Sequence, residues 1–363
     1  MKYQDEFRSR ELVQRLASRL RQLAAASART MTFMEVCGTH TMAIYQYGLR
    51  SLLPPRIRLI SGPGCPVCVT PNGYLDRAIA CCRIPGVTVA TFGDMLRVPG
   101  SSSSLMEERA RGADVRIVYS PLDAVKLAAA NPGQTVVFLG VGFETTAPAI
   151  AGSILAAREK GLSNFLVLAS HKTIPGPMAA LAGDPELAID GFICPAHVST
   201  IIGADAYLPL ARDFHRPCVI TGFEPADVLQ GIAMLAAQVA KGESRVEIEY
   251  SRAVKPGGNP RAREVMNEVF SPADAEWRGL GGIPGSGLQI RAEYARFDAD
   301  KVLALSVEPT REAAGCRCGD VLKGKITPFE CPHFAVACTP ASPVGACMVS
   351  TEGTCAAAYR YGR

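Results

Sequence analysis

The sequence predicts an α/β protein with mostly parallel strands, built as two similar halves and followed by a loop-rich, cysteine-crowded region. Three observations lead there. Short β-branched apolar runs alternate with helical segments from about residue 31 to 240, the pattern of parallel strands covered by helices. Gly-Phe-Glu follows an apolar run at 142–144 and again at 222–224, which hints at internal duplication. Six of the 13 cysteines lie in the last 48 residues.

The elements follow in order. Residues 4–26 carry Phe7, Leu12, Leu16, Leu20 and Leu23 on one stripe, the mark of an amphipathic helix. Strands are expected at 31–36, 57–61, 87–91, 115–119, 135–139, 165–169, 192–193 and 218–221. Helices fit at 73–83, 121–130, 147–160, 176–183, 204–212 and 225–240. After about 245 the segments 255–260 (KPGGNP) and 279–287 (GLGGIPGSG) read as Gly/Pro loops. The expected units are 1–30, an N-terminal helix packing on the third region; 31–130 and 131–245, the two α/β domains; and 246–363, the cysteine-rich region.

A length of 363 residues suits two or three domains. The net charge of +4, with basic residues scattered, argues against nucleic-acid or membrane-surface binding. The start, MKYQDEFRSRE, has no apolar core of a signal peptide. Residues 133–157 carry Glu144 as their only charge, but strand-forming residues, Gly140, Gly142 and Pro148 read as strand, turn and helix rather than a membrane span. A cytoplasmic protein is expected, where clustered thiols point to metal or redox chemistry rather than structural disulfides.

The chemistry-bearing residues follow strand ends. Cys37 and His40 follow the first strand, Cys65 and Cys68 the second, and Asp94 the third. Glu144 follows the fifth, His171 and Lys172 the sixth, Cys194 and His197 the seventh, and Glu224 the eighth. In open parallel sheets the crevice beyond the carboxyl ends of the strands binds ligands, so these residues can share one cleft.

Cys65-Pro66-Val67-Cys68, after a Gly-Pro-Gly turn, has the spacing of a redox dithiol; a metal half-site and a structural pair are the other readings. Cys37 stands three residues before His40, whose ring can polarise the thiol or join it on a metal. Cys81, Cys82 and Cys218 read as packing residues. In the tail, Cys316, Cys331, Cys338 and Cys355 follow C-x14-C-x6-C-x16-C. Four thiolates suit a 4Fe-4S cluster. Zinc is the alternative, encouraged by Cys331-Pro332-His333 but lacking paired C-x2-C knuckles.

At these residues the chain resembles the HypD family of hydrogenase maturation proteins. The matching strings are MEVCGTHTMAI at 34–44, ISGPGCPVCVTP at 60–71, VGFETTAPA at 141–149, CPAHVSTIIG at 194–203 and TGFEPADVL at 221–229. YSRAVKPGGNPRA at 250–262 and the stretch 318–357 match as well. The resemblance implies two Rossmann-like α/β domains facing a cleft, plus a region with a 4Fe-4S cluster. It implies work with a HypC-type chaperone and a HypE-type cyanide donor to build the Fe(CN)2CO unit of NiFe hydrogenases. Carried over, Cys37 holds the nascent iron, Cys65 and Cys68 form the redox pair, and Cys316, Cys331, Cys338 and Cys355 hold the cluster. Cys318 and Cys347 stand close enough in sequence to displace one of these. His40 would set the protonation of Cys37, and Glu144, His171 and His197 would handle protons. Two rival functions remain at this stage, an iron–sulfur-dependent disulfide reductase and a zinc-stabilised binding protein.

Overall fold

A computed structural model describes residues 5–362. Among them, eleven strands form two sheets. These are β1 (Met31–Glu35), β2 (Ile57–Ser61), β3 (Val87–Thr91), β4 (Asp114–Ile117), β5 (Thr135–Gly142), β6 (Phe165–Lys172), β7 (Gly191–Pro195), β8 (Cys218–Thr221), β9 (Val246–Ile248), β10 (Phe270–Trp277) and β11 (Gly281–Ile290). The first sheet has the order β2-β1-β7-β8-β9 and is parallel throughout. The second has the order β10-β11-β6-β5-β3-β4. It is parallel from β6 to β4 and antiparallel at its β10–β11 end.

The fold class is as expected, but the two halves are interleaved rather than consecutive. The chain lays down β1 and β2, builds β3 to β6 in the second sheet, returns for β7 to β9, and ends with the β10–β11 hairpin on the second sheet. Parallel strands need long helical connections, and a connection of that length can also cross to another sheet. The divisions at 130 and 245 therefore do not separate the sheets. The repeated Gly-Phe-Glu falls once in each, after β5 and after β8.

The stretch expected as a loop at 279–287 is mostly strand. Glycine hides it, because β11 lacks the apolar alternation that announces a strand. Close approach explains one of these glycines. A side chain at Gly287 would bring its Cβ to 2.7 Å from that of Ala275 in β10.

The N-terminal helix is observed at Arg10–Ala25; positions 1–4 lie outside the described residues. Its buried Leu16, Leu20 and Ala24 pack with Met31, Phe33, Leu229, Ile232 and Leu235. It therefore covers the first sheet and the helix Pro225–Lys241, not the cysteine-rich region. Each fully buried leucine contributes roughly 1.5–3 kcal/mol, which explains where the stripe went. The cysteine-rich tail has no sheet of its own. Cys318, Val321, Leu322, Cys347 and Met348 join one core with Met34, Val36, Val137, Leu139 and Phe192 from both sheets.

Candidate functional site

The strand ends of the first sheet build the first site. Beyond β1, Cys37 caps the helix Gly38–Gln46. The Gly-Pro-Gly turn after β2 lies directly against it. The Gly62 N–H donates to the Glu35 carbonyl at 2.8 Å, and the Gly38 N–H donates to the Gly64 carbonyl at 3.0 Å. Any side chain at Gly64 would strike the backbone of Val36 and Cys37, so this position requires glycine. The turn delivers Cys65 to the start of a short helix, Pro66–Val69, where the Cys68 N–H donates to Cys65 Sγ at 3.2 Å. Cys65 and Cys68 are joined as a disulfide and are buried.

Burial pushes the Cys37 thiol up to about 12, and the Glu352 carboxylate adds to the rise. Backbone N–H groups of His40 and Thr39 act the other way. Glu352 is held by Thr39, whose Oγ1 donates to it at 2.8 Å across 313 residues of sequence. A side chain at Gly38 would collide with Glu352. Burial raises the Glu352 carboxyl above its ordinary value. Behind it, Ser350 Oγ donates to Asp94 Oδ2 at 3.0 Å, and the Glu352 N–H donates to Ser350 Oγ at 3.3 Å.

The expected proton handlers divide. The His40 ring serves the end of β8, with Nε2 at 3.0 Å from the Gly222 carbonyl and 2.9 Å from Thr221 Oγ1. Burial lowers its pKa to about 4, so it is a neutral, structural ring, and only its backbone N–H bears on Cys37. Phe223 lies between the rings of His40 and exposed His197, with centroids at 4.7 and 4.2 Å. Glu144 belongs to the second sheet. Its Oε1 accepts from the Ile174 N–H at 2.9 Å, its Oε2 has no partner, and burial raises it to about 7. His171 is buried in β6 against Phe270, with neither ring nitrogen hydrogen-bonded, and burial lowers it to about 3. Among the described residues, no hydrogen bond or charge interaction joins Glu144, His171 or His197 to Cys37. The strand ends thus bring together Cys37, Cys65 and Cys68, not every strand-end residue; Cys194 is buried beside Cys218 instead.

The tail builds the second site. Cys316, Cys318, Cys331, Cys338, Cys347 and Cys355 line one small cavity with His333, Phe334 and Met348. Thiols face thiols there: Cys316 pairs with Cys318, Cys318 with Cys347, and Cys347 with Cys355. The bond with Cys318, then burial, holds Cys316 far above the ordinary thiol value. The Val344 N–H donates to Cys338 Sγ at 3.3 Å. A Cβ at Gly345 would sit 2.6 Å from Cys316 Sγ, so the bare backbone is part of the cavity wall. Among the described residues, no three His, Cys, Asp or Glu side chains close around one point as ligands of a single metal ion.

One segment joins both sites. Residues 346–355 carry Cys347 and Cys355 into the cavity wall and Glu352 to Cys37. The turn Ala346–Met348 packs on the Cys65–Cys68 helix, and the helix Thr354–Tyr361 packs on Gly38–Gln46. Sequence reasoning missed Glu352. Its only trace was a place within the matching stretch 318–357, which does not reveal a neighbour so distant in the chain.

The family model HypD, described as "Hydrogenase formation hypA family", matches residues 11–362. A protein of Azotobacter vinelandii called hydrogenase maturation factor HypD is 48% identical over 370 residues, covering 100% of this chain and 97% of that one. Proteins of the same name from Rhizobium leguminosarum bv. viciae and Escherichia coli (strain K12) are each 46% identical. They cover 100% and 99% of this chain, and 96% and 98% of their own. No described helix is long and apolar enough to cross a membrane.

Proposed function

The chain belongs to the HypD family, and from that premise we propose that it acts in hydrogenase maturation as a redox-active assembly scaffold. With a HypC-type chaperone it would hold iron at Cys37 while a HypE-type donor supplies cyanide and the Fe(CN)2CO unit is built. The observation that carries this reading is the segment 346–355. Ten consecutive residues give Cys347, Met348 and Cys355 to the wall of the six-thiol cavity, pack against the helix Pro66–Val69 and carry the Cys37 neighbour Glu352.

The cavity suits a thiolate-bound cluster in its donor chemistry. It offers six thiols beside a single imidazole, His333, with an apolar lining and a glycine backbone at the wall. A cubane spreads its four thiolates over four irons, so its ligands need not converge on one point, whereas zinc demands that they do. Cys316, Cys331, Cys338 and Cys355 are proposed as ligands, with Cys318 and Cys347 in the same wall. A bound 4Fe-4S cluster would supply single electrons.

The chain's own residues do the rest. Cys37 keeps its proton while buried beside Glu352 and releases it when a cation arrives, so iron capture and thiol deprotonation are one event. Cys65 and Cys68 store two electrons as dithiol and return them on forming the disulfide. Their burial disfavours the rival reading, turnover of an external disulfide.

Anaerobic purification with iron, sulfide and zinc counted, followed by EPR of the reduced protein, tests the cluster. Brown protein with iron and sulfide in equal amounts is expected. Stoichiometric zinc without sulfide would overturn it. Alkylation before and after reduction, read by mass spectrometry, tests the dithiol. Labelling of both Cys65 and Cys68 after oxidant exposure would sink that role.

A further inference from the structure

Strand β6 ends in Ser170-His171-Lys172. Alternation along a strand sends His171 to one face and Ser170 and Lys172 to the other. His171 packs on Phe270, while Ser170 and Lys172 line a cavity of about 300 Å3 between β6, the β10–β11 hairpin and the helix Asn72–Cys82. Lys172 is 3% exposed, yet among the described residues no carboxylate reaches ion-pair distance of its amine. Nζ donates to Ser170 Oγ at 3.4 Å and stands 5.7 Å from the centroid of the Trp277 ring. Ser170 is half-buried and part of the cavity wall, so the amine beside it lies at that wall rather than behind it.

A buried lysine is ordinarily paired with an acid. One left with a single long hydrogen bond is poorly held as an ammonium, and the neutral amine is a nucleophile toward carbonyl carbon. Burial lowers the Lys172 pKa to about 8; the Glu276 carboxylate opposes this and Arg77 adds to it. The other charged or titratable groups of the lining are Tyr74 on the helix, Asp274 on β10, and Asp298 and Asp300. Asp300 is engaged by Arg77 at 3.2 Å, Asp298 by Lys301 at 3.4 Å, and Asp274 accepts from the Gly285 N–H at 2.9 Å. Glu276 is exposed at the rim. Acids outnumber cations in this lining, which disfavours an anionic ligand.

We propose that Lys172 is an imine-forming site for a small, uncharged hydroxy-aldehyde or hydroxy-ketone. Nζ adds to the carbonyl carbon and gives a carbinolamine; the carbon–oxygen bond then breaks and the C=N bond forms. Both amine protons leave with the carbonyl oxygen as water, so no oxidant or reductant is consumed. The inference depends on neither cysteine site.

The test is reductive trapping on the anaerobically prepared full chain with glycolaldehyde and sodium cyanoborohydride, read by peptide mass spectrometry. At pH 8 about half of the Lys172 amines are neutral, against roughly one in 250 for an exposed lysine of ordinary pKa near 10.4. Lys172 should therefore be trapped at least about tenfold faster than exposed Lys160 and Lys241. Its rate should level off above about pH 8.5, while theirs keep rising to pH 10. Glyoxylate is of similar size but anionic, and should show less preference for Lys172 over the same two lysines. Glu276→Gln removes an exposed charge that favours the ammonium, and should quicken trapping at pH 7 about two- to threefold. Trapping of Lys172 no faster than of Lys160 would show a lysine that merely packs on Trp277, and would overturn the proposal. A stronger preference with glyoxylate than with glycolaldehyde would overturn the uncharged class. Equal rates in Glu276→Gln and wild type would show that the amine does not face this cavity.

Discussion

The two cysteine sites hold the same chemical group in opposite surroundings. Cys37 sits at the end of a parallel strand, clamped by the Gly62–Gly64 turn, and its charged neighbour is an acid, Glu352. The tail thiols sit on irregular backbone with other thiols as neighbours, and the charge felt by Cys316 and Cys318 is the cation Arg278. An acid beside a buried thiol keeps the proton on and makes a site that ionises only when a metal cation compensates. Clustered thiols near a cation, around a small apolar cavity, suit a permanent multi-thiolate centre. On the proposed function, the contrast would separate a thiol suited to transient cargo from thiols suited to a resident group.

Removing tail thiols should give the largest effect. Cys316→Ala, Cys331→Ala, Cys338→Ala and Cys355→Ala should each lose the brown colour and bring iron and sulfide to near zero. Cys318→Ala and Cys347→Ala should retain them, although both line the cavity. Full iron in any of the first four, or loss in either of the last two, would redraw the ligand set.

Cys37→Ala should leave the tail iron and sulfide in place. It should abolish the cyanide and carbonyl infrared bands of the complex with the HypC-type partner. Bands at wild-type intensity would remove Cys37 from the iron site. Loss of the tail iron as well would show that 346–355 folds both sites as one unit, and the contrast between resident and cargo thiols would fail.

A smaller effect is expected at Glu352. Glu352→Gln keeps an acceptor for Thr39 Oγ1 but removes the charge beside Cys37. The thiol should ionise more readily, so Cys37 alkylation at pH 9 should quicken by about three- to tenfold. Unchanged Cys37 labelling, with tail labelling as the internal control, would mean that burial alone governs this thiol.

Much of the strand-end site was legible in the sequence. The CGTHT and GPGCPVC strings follow apolar strands, and strand ends of parallel sheets point to one edge. What could not be read was pairing across distance. Nothing local tells that β7 returns beside β1, or that Glu352 lies on Cys37. His40 misled because spacing of three residues suggested a ring beside the thiol, whereas the ring turns to the free acceptors at the end of β8. The tail was legible as thiol-rich but not as six thiols in one wall, since no periodicity governs loops. The hairpin β10–β11 was invisible because β11 is glycine-rich and β10, FSPADAEW, carries proline, acids and alanines in place of an apolar alternation.

His171 gives the smallest effect and marks the edge of the comparison, because it belongs to neither site. Burial against Phe270 lowers its pKa from 6.5 to about 3. The native state therefore binds fewer protons than the unfolded chain between these values. Its contribution is fully present above pH 6.5 and is lost as pH falls toward 3, by at most about 1.4 kcal/mol per pH unit. Glu35, Glu144 and Glu249 are raised to about 7, first by burial, and oppose this trend. The informative quantity is thus the difference between variant and wild type, in which those carboxyls cancel. His171→Leu should lose less thermal stability than the wild type between pH 7 and pH 5, with Cys37 alkylation unchanged. Equal losses in both would show that His171 is not a buried neutral ring. Altered Cys37 alkylation would bring this residue back into the thiol chemistry and make the second sheet part of the first site.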